Sequence, residues 1–389
     1  MLAYILGVTL FVLGLCLSLA LHEAGHLLTA RAFGMRVRRY FVGRGPTVFS
    51  FRRGHTEYGL KALPIGGFCD IAGMTALDEL TPGERPHAMW RHPTWKRTVV
   101  MASGAVTHVL LAMAILYGMA VTSGLPNLNP VNEPVVAATN CVEATTCPAT
   151  EAGLLPGDRI LTVGRTSTPL WADVLTAIQT AGGPTALTVQ RGGETLTLTV
   201  NVARVQRQGS DGTLREIGMM GATAQQPPAY LKYDALGAAS ATTVFTGDLV
   251  SRTLDQLAAF PQRIPAVITA IGGGERDPET PISMVGASRL GGEAAERGLW
   301  EVFFLLLASL NLFMAVFNLL PLLPLDGGHI TIIWYERMRD AVRKLRGRPA
   351  AGPVDFTRLV PITMVLVLLG GAVMLLTITA DVVNPVRLS

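Results

Sequence analysis

Charge is scarce in this chain. Asp, Glu, Lys and Arg make up 15% of its 389 residues, against about a quarter in an ordinary soluble protein. Mean hydropathy is correspondingly high, +0.39, which argues against a cytosolic enzyme. No dense basic tract with interleaved aromatics is present, and the formal charge is only +4, so no nucleic-acid partner is implied. There are only seven histidines, too few for the several histidine boxes of a membrane-bound iron desaturase. The N-terminal run Met1–Ala20 carries no charge at all, not even the basic start of a secretory signal. It is also too long for one and lacks a small-x-small cleavage site, so it reads as a retained span.

What is abundant is apolar run. Crossing about 30 Å of hydrocarbon takes roughly 20 helical residues. Four stretches qualify: about Leu2–Leu28, Val99–Val121, Val302–Leu325 and Val360–Ala380. The loop 29–98 carries twelve Lys or Arg and the short loop 331–360 carries seven, whereas the twelve in 122–301 are spread over a long segment. Short basic loops stay cytoplasmic. The N-terminus, the 122–301 region and the C-terminus are therefore expected outside. Two of the four cysteines, Cys141 and Cys147 in "NCVEATTC", fall in that outer region, where an oxidising compartment allows a disulfide.

Inside the first span stands "LHEAGHLLTA", residues 21–30. Residues four apart share a helix face, so His22 and His26 point together with Glu23 beside them. This is the H-E-x-x-H arrangement of two imidazole zinc ligands and a carboxylate general base. Ionisable groups inside a membrane helix are costly and default to function. A catalytic zinc needs a third protein ligand and one open position. Asp326 in "FNLLPLLPLDGGHI" is the best candidate. Spans one and three run in the same direction, and the two sites lie at depths that agree within about 6 Å at 1.5 Å per residue. Pro321 and Pro324 disrupt the helical ladder, and such backbone is tolerated at this depth only beside protein or a wet cavity. The stretch through Gly327 and Gly328 is expected to be unwound and to face the metal. His329, nearer the water boundary, is a weaker competitor, and His108 in span two reads as packed or hydrogen-bonded.

"HEAGH" paired with "NLLPLLPLDGGH" resembles the site-2 protease family of intramembrane zinc metalloproteases, in its bacterial PDZ-containing branch of actinobacterial Rip type. The resemblance covers nearly the whole chain. It implies Zn2+ held by His22, His26 and Asp326, and Glu23 as the base with which a zinc-activated water attacks a peptide carbonyl. It also implies that Asn318 helps hold the substrate backbone. "TVFSFRRGHTEYGLKALPIGGF" reads as a β-hairpin turning at Gly54-His55. In the family such a hairpin re-enters the membrane, and Gly66, Gly67 and Phe68 are its expected substrate-facing residues. Arg44 in "FVGRGP" departs from the apolar or aromatic residue usual there.

"AGLLPGDRILTVG" resembles the PDZ pattern of bacterial envelope proteases. Around it the sequence reads as strand, turn, strand, a helix near Trp171–Thr180, and two alternating strands about Gly192-Gly193. The expected fold is a polytopic α-helical membrane protein with four transmembrane helices, a membrane-associated β-hairpin and one extracytoplasmic PDZ-like α+β domain. Its order is span one (1–30), hairpin region (31–98), span two (99–121), PDZ-like domain (122–206), connector (207–300), span three (301–330), basic cytoplasmic loop (331–359), span four (360–381) and tail (382–389). The connector includes "GGGERDPETPISMVGASRL", similar to a "P-I-S-x-x-G" element of the family.

The expected activity is cleavage of a single-pass protein within its transmembrane segment in the inner or plasma membrane. In the family the typical bacterial substrates are anti-sigma factors. The expected partners are the lipid bilayer, a transmembrane protein substrate, and a peptide or pre-cleaved substrate end at the PDZ-like domain. Two other classes fit less well. A zinc scaffold would not need Glu23, and a metal transporter would need a second ligand cluster along a path.

Overall fold

The computed structural model describes residues 1–388 except 76–77, 143–145, 209–213 and 278–279, and leaves out the side chains of Pro64 and Ile65. Parts of "NCVEATTC", "GGGERDPETPISMVGASRL" and "PIGGF" therefore lie outside the described residues. The chain divides into two compact units, one of residues 1–124 with 232–389 and one of residues 125–231.

The first unit begins with α1 (Leu2–Ala32), followed by β1 (Val37–Arg53), β2 (Thr56–Ile71) and α2 (Thr94–Thr122). Gly54, at φ +63°, makes the turn between the strands. The hairpin is more folded than simple alternation suggests. Residues 39–42 pair with 67–70 on one side and with 57–60 on the other, while 49–53 pair with 56–60. Bulges thus fold two long strands into four short sheet segments, and 67–70 lies at an edge. Among the described residues no further strand pairs with that edge. The hairpin is tied to α1: Tyr40 Oη donates to Ala20 O at 2.8 Å, and Arg31 donates to Thr56 Oγ1 at 2.8 Å. Leu27, Ala30, Val37, Ile71, Val100 and Met101 share one buried cluster beneath this junction.

The second unit holds β3 (Leu125–Pro126), β4 (Val136–Thr139), α3 (Pro148–Glu151), β5 (Arg159–Val163), β6 (Thr166–Ser167), α4 (Trp171–Thr180), β7 (Gly183–Arg191), β8 (Glu194–Gln208), β9 (Leu214–Met219), β10 (Ala222–Ala224) and β11 (Tyr230–Leu231). Five of these form a sheet in the order β6-β5-β7-β8-β9. Apolar residues at alternate strand positions, such as Leu187, Val189, Val200 and Val202, meet Trp171, Val174 and Ile178 of α4 in one core. The unit runs past residue 206 because β9 pairs with β8, β10 with β4 and β11 with β3. Cys141 and Cys147 are joined by a disulfide.

The chain then returns to the first unit as α5 (Ala235–Ile271), α6 (Met284–Glu296), α7 (Trp300–Asn318), α8 (Asp326–Leu345) and α9 (Val360–Val383). Helices α1, α2, α7 and α9 are long and apolar enough to cross a membrane. The expected connector is largely helical. Ser283 caps α6, its Oγ accepting from Val285 and Gly286 N–H, and the small residues of α6 let it lie directly on α1. A Cβ on Gly291 would stand 2.5 Å from Phe11, and one on Gly7 would stand 2.5 Å from the Cβ of Ala295. The expected basic loop is also largely helical, since α8 continues to Leu345. Arg97 of α2 holds it through a 3.0 Å pair with the buried Glu336, whose other oxygen accepts from Val354 N–H.

Two expectations follow. Gly291→Val overpacks the α1–α6 contact and should lower stability by roughly 1–3 kcal/mol, measurable as a lower midpoint of thermal unfolding in detergent. In the second unit, Asp158 is buried and accepts from both Arg191 Nε and NH2 at 2.7 Å. Those bonds, with one from Leu155 N–H, hold its carboxyl below the ordinary aspartate range. A depressed folded pKa stabilises fully above the unfolded value, about 3.9, and the effect is lost as pH falls through the folded value. Protection factors of β5 and β7 amides in the full chain, corrected for the intrinsic exchange rate at each pH, should therefore be unaffected by this pair's titration between pH 5 and 7 and fall below about pH 4. Arg191→Met should lower them at neutral pH.

Candidate metal centre

The apolar run makes α1 a long helix, and one helical turn within it places His22, Glu23 and His26 together. The third participant comes from α8. α7 ends at Asn318, the chain leaves the helix through Leu319–Leu325 where Pro321 and Pro324 remove two backbone donors, and α8 starts at Asp326. The unwinding expected from the prolines is thus confined to residues 319–325, whereas Gly327 and Gly328 are helical. Their role is close approach. A Cβ on Gly327 would stand 2.2 Å from Leu319 O, and one on Gly328 would stand 2.7 Å from the Leu322 carbonyl carbon. Only glycine lets the loop fold back over the first turn of α8.

His22 Nε2, His26 Nε2 and Asp326 Oδ2 form a triangle with edges of 3.2, 3.3 and 3.4 Å. Three donors each 2.0–2.1 Å from a tetrahedral ion stand about 3.3 Å apart. Asp326 Oδ2 is buried without a hydrogen-bond partner. His26 Nδ1–H donates to Val100 O at 2.7 Å, which leaves its Nε2 with a lone pair turned to the other two donors. Three converging lone pairs repel one another, and a cation removes that conflict. The residues present fit a divalent metal with two imidazoles and one carboxylate.

α2 backs this centre closely. A Cβ on Gly104 would stand 2.4 Å from His22 Cε1 and 2.6 Å from its Nε2, so the imidazole lies against bare helix backbone. Glu23, half-buried on the same turn of α1, faces the hairpin edge. A Cβ on Gly67 would lie 2.9 Å from Glu23 Cγ and 3.5 Å from its Oε1. Gly66 adopts φ +74°, with Arg44 Nε 3.5 Å from its Cβ position. Arg44 thus folds over the hairpin beside Gly66.

The other expected residues are placed as follows. Phe68 stacks on Phe41 at 5.4 Å, with Lys61 Nζ 5.7 Å and the Arg39 guanidinium carbon 5.6 Å from its ring. Asn318 is half-buried at the end of α7, and its side chain has no hydrogen-bond partner among the described residues. His329 stacks against Phe356 at 6.0 Å and is outside the triangle. His108 is fully buried, 4.9 Å from the His22 ring, and bonded to Asn311. Asn311 carried no expectation from sequence. An amide in the middle of the apolar run of α7, seven residues before Asn318, is the signal that singles it out.

The profile of Peptidase family M50 matches residues 10–361. Zinc metalloprotease Rip1 of Mycobacterium bovis (strain BCG / Pasteur 1173P2) is 44% identical over 401 residues, covering 99% of this chain and 99% of the relative. Zinc metalloprotease Rip1 of Mycolicibacterium smegmatis is 45% identical, covering 98% of each. The Rip1 of Mycobacterium tuberculosis H37Rv is 44% identical over 99% of each.

The contact at Gly104 is the easiest part of the centre to disturb. Gly104→Ala should displace the His22 ring by several tenths of an ångström and lower retained divalent metal, measured per chain by elemental analysis after dialysis, while the helix itself persists.

Proposed function

The chain belongs to Peptidase family M50, and from that premise we propose a zinc metalloendopeptidase of site-2 type that cuts single-pass membrane proteins within their transmembrane segments. The observation that carries the reading is the triangle of His22, His26 and Asp326 donors at 3.2–3.4 Å, set beside a carboxylate on the same turn. These three residues hold the zinc. When bound, zinc supplies the Lewis acidity that makes water a nucleophile near neutral pH. Glu23 accepts the proton of the attacking water at its carboxylate and passes it to the leaving amine nitrogen.

A transmembrane substrate arrives as a helix, with its carbonyls bonded internally. It has to be drawn out before any peptide bond can be reached. The hairpin edge at 67–70, with Gly67 against Glu23, offers unpaired backbone groups to an extended segment. Gly66 and Gly67 keep that edge free of side chains, and Phe68 stiffens it through Phe41. Asn318, with no partner for its amide among the described residues, holds the substrate backbone from the other motif, as the family resemblance implies. The short basic loops support an orientation with the N-terminus, the 125–231 unit and the C-terminus outside. That unit is PDZ-like in sequence and takes the pre-cleaved end of the substrate as an added strand. Anti-sigma factors are the substrate class that the family resemblance favours.

The test is cleavage of a single-pass anti-sigma factor, shortened outside, in proteoliposomes. Glu23→Gln should retain one zinc per chain and lose roughly 10²–10⁴-fold in rate. Asp326→Asn should lose zinc. Cleavage by Glu23→Gln at the wild-type rate would exclude this mechanism.

A further inference from the structure

His108 and Asn311 lie within the apolar spans α2 and α7, both wholly buried. Nothing in the proteolytic reading uses them. Asn311 Nδ2 donates to Leu307 O at 2.8 Å, so its amide oxygen faces away from that carbonyl. That oxygen lies 2.9 Å from His108 Nδ1. An amide oxygen only accepts, so His108 Nδ1 carries the proton. In a neutral imidazole the other nitrogen is then a bare acceptor, and His108 Nε2 is buried without a donor.

His22 shows the opposite condition. Its Nε2 belongs to the donor triangle and presents a lone pair there. Its Nδ1 therefore carries hydrogen, and that nitrogen is buried without an acceptor. An orphan donor and an orphan acceptor thus sit on neighbouring rings whose centroids are 4.9 Å apart, tilted by 40°. Two imidazoles joined edge to edge by an N–H···N bond of about 2.9 Å have centroids roughly 5 Å apart. A turn of the rings that brings the two nitrogens together satisfies both atoms. Buried polar atoms without partners are rare enough to need such an explanation. The backbone supports it, because Gly104 and His108 are one turn apart on the same face of α2 and Gly104 is where the His22 ring rests.

We propose that His108 is a positioning residue for His22, accepting its Nδ1–H with a tautomer fixed by Asn311, so that α7, α2 and α1 are linked through side chains to the zinc. The proposal rests on His22 being a zinc ligand. It gives His22 the counterpart of what Val100 O gives His26. Such partners orient a ligating imidazole and raise its basicity.

The test uses the full chain in detergent micelles. His108→Leu should release zinc to excess EDTA about ten- to a hundredfold faster than wild type and shift the visible absorption bands of the cobalt-loaded protein. The thermal midpoint of its metal-free form should fall no further than that of metal-free Asn311→Leu, which breaks the same buried bond. His108→Gln, which keeps a carbonyl acceptor, should restore zinc release to within a few-fold. Asn311→Leu should fall between, and should add nothing when combined with His108→Leu. Equal release rates for wild type and His108→Leu would overturn the proposal. So would faster release accompanied by an equal fall in metal-free stability and no rescue by glutamine. Should the variants fail to accumulate, two-bond ¹H–¹⁵N spectra of the histidine-labelled wild-type zinc form decide. A proton on His108 Nδ1 and a slowly exchanging His22 Nδ1–H support it, and a proton on His108 Nε2 overturns it. A wild type that binds no zinc overturns both this and the proteolytic reading, whereas equal release from zinc-loaded proteins overturns this one alone.

Discussion

Three lone pairs pointed at one small volume form the constraint on which the rest of the fold turns. His22 Nε2, His26 Nε2 and Asp326 Oδ2 would push one another apart without a cation between them, so each must be held in place by something other than mutual attraction. α1 fixes two of them in one turn. The third is delivered by a helix start, with Leu319–Leu325 folded back over Gly327 and Gly328. α2 supplies the backing through Val100 O and the bare backbone at Gly104.

Much of this could be read in the residues themselves. The i, i+4 histidines with an adjacent glutamate placed the centre on α1, and the depth of Asp326 relative to His22 pointed to the third donor. The alternating run around Gly192-Gly193 and the amphipathic stretch at Trp171–Thr180 correspond to β7, β8 and α4. What was not legible depends on distance in the chain. The stretch leading into α6, "GGGERDPETPISMVGASRL", is turn-rich and reads as a connector, and three glycines weaken the helix that follows; its small face packs on Gly7 and Phe11 only once α1 is in place. The refolding of β1 and β2 into four segments depends on bulges, which alternation cannot locate. Asn311 is one amide in an apolar run, and its partner is 203 residues away.

Several charged groups of the first unit pair with an opposite charge away from water. Arg97 meets Glu336 where α2 joins α8. Arg276 meets Asp381, a pair almost wholly removed from solvent, and Asp381 also accepts from Ser283 N–H at the start of α6. Pairs of this kind add little net stability over apolar packing, but breaking one leaves a charge stranded. They therefore specify which helix meets which. The helix carrying Asp326 and the helix lying on α1 are each fixed in this way.

The grip of α6 on α1 has a consequence for where the protein works in a bilayer. Gly7, at the contact, and His22 are fifteen residues apart on one helix, about 22 Å. A thicker or thinner bilayer can tilt the bundle, yet it cannot slide the histidines along α1 relative to α6. The histidines therefore keep one distance, about 22 Å along the helix, from the α1–α6 contact whatever the thickness of the lipid around the bundle.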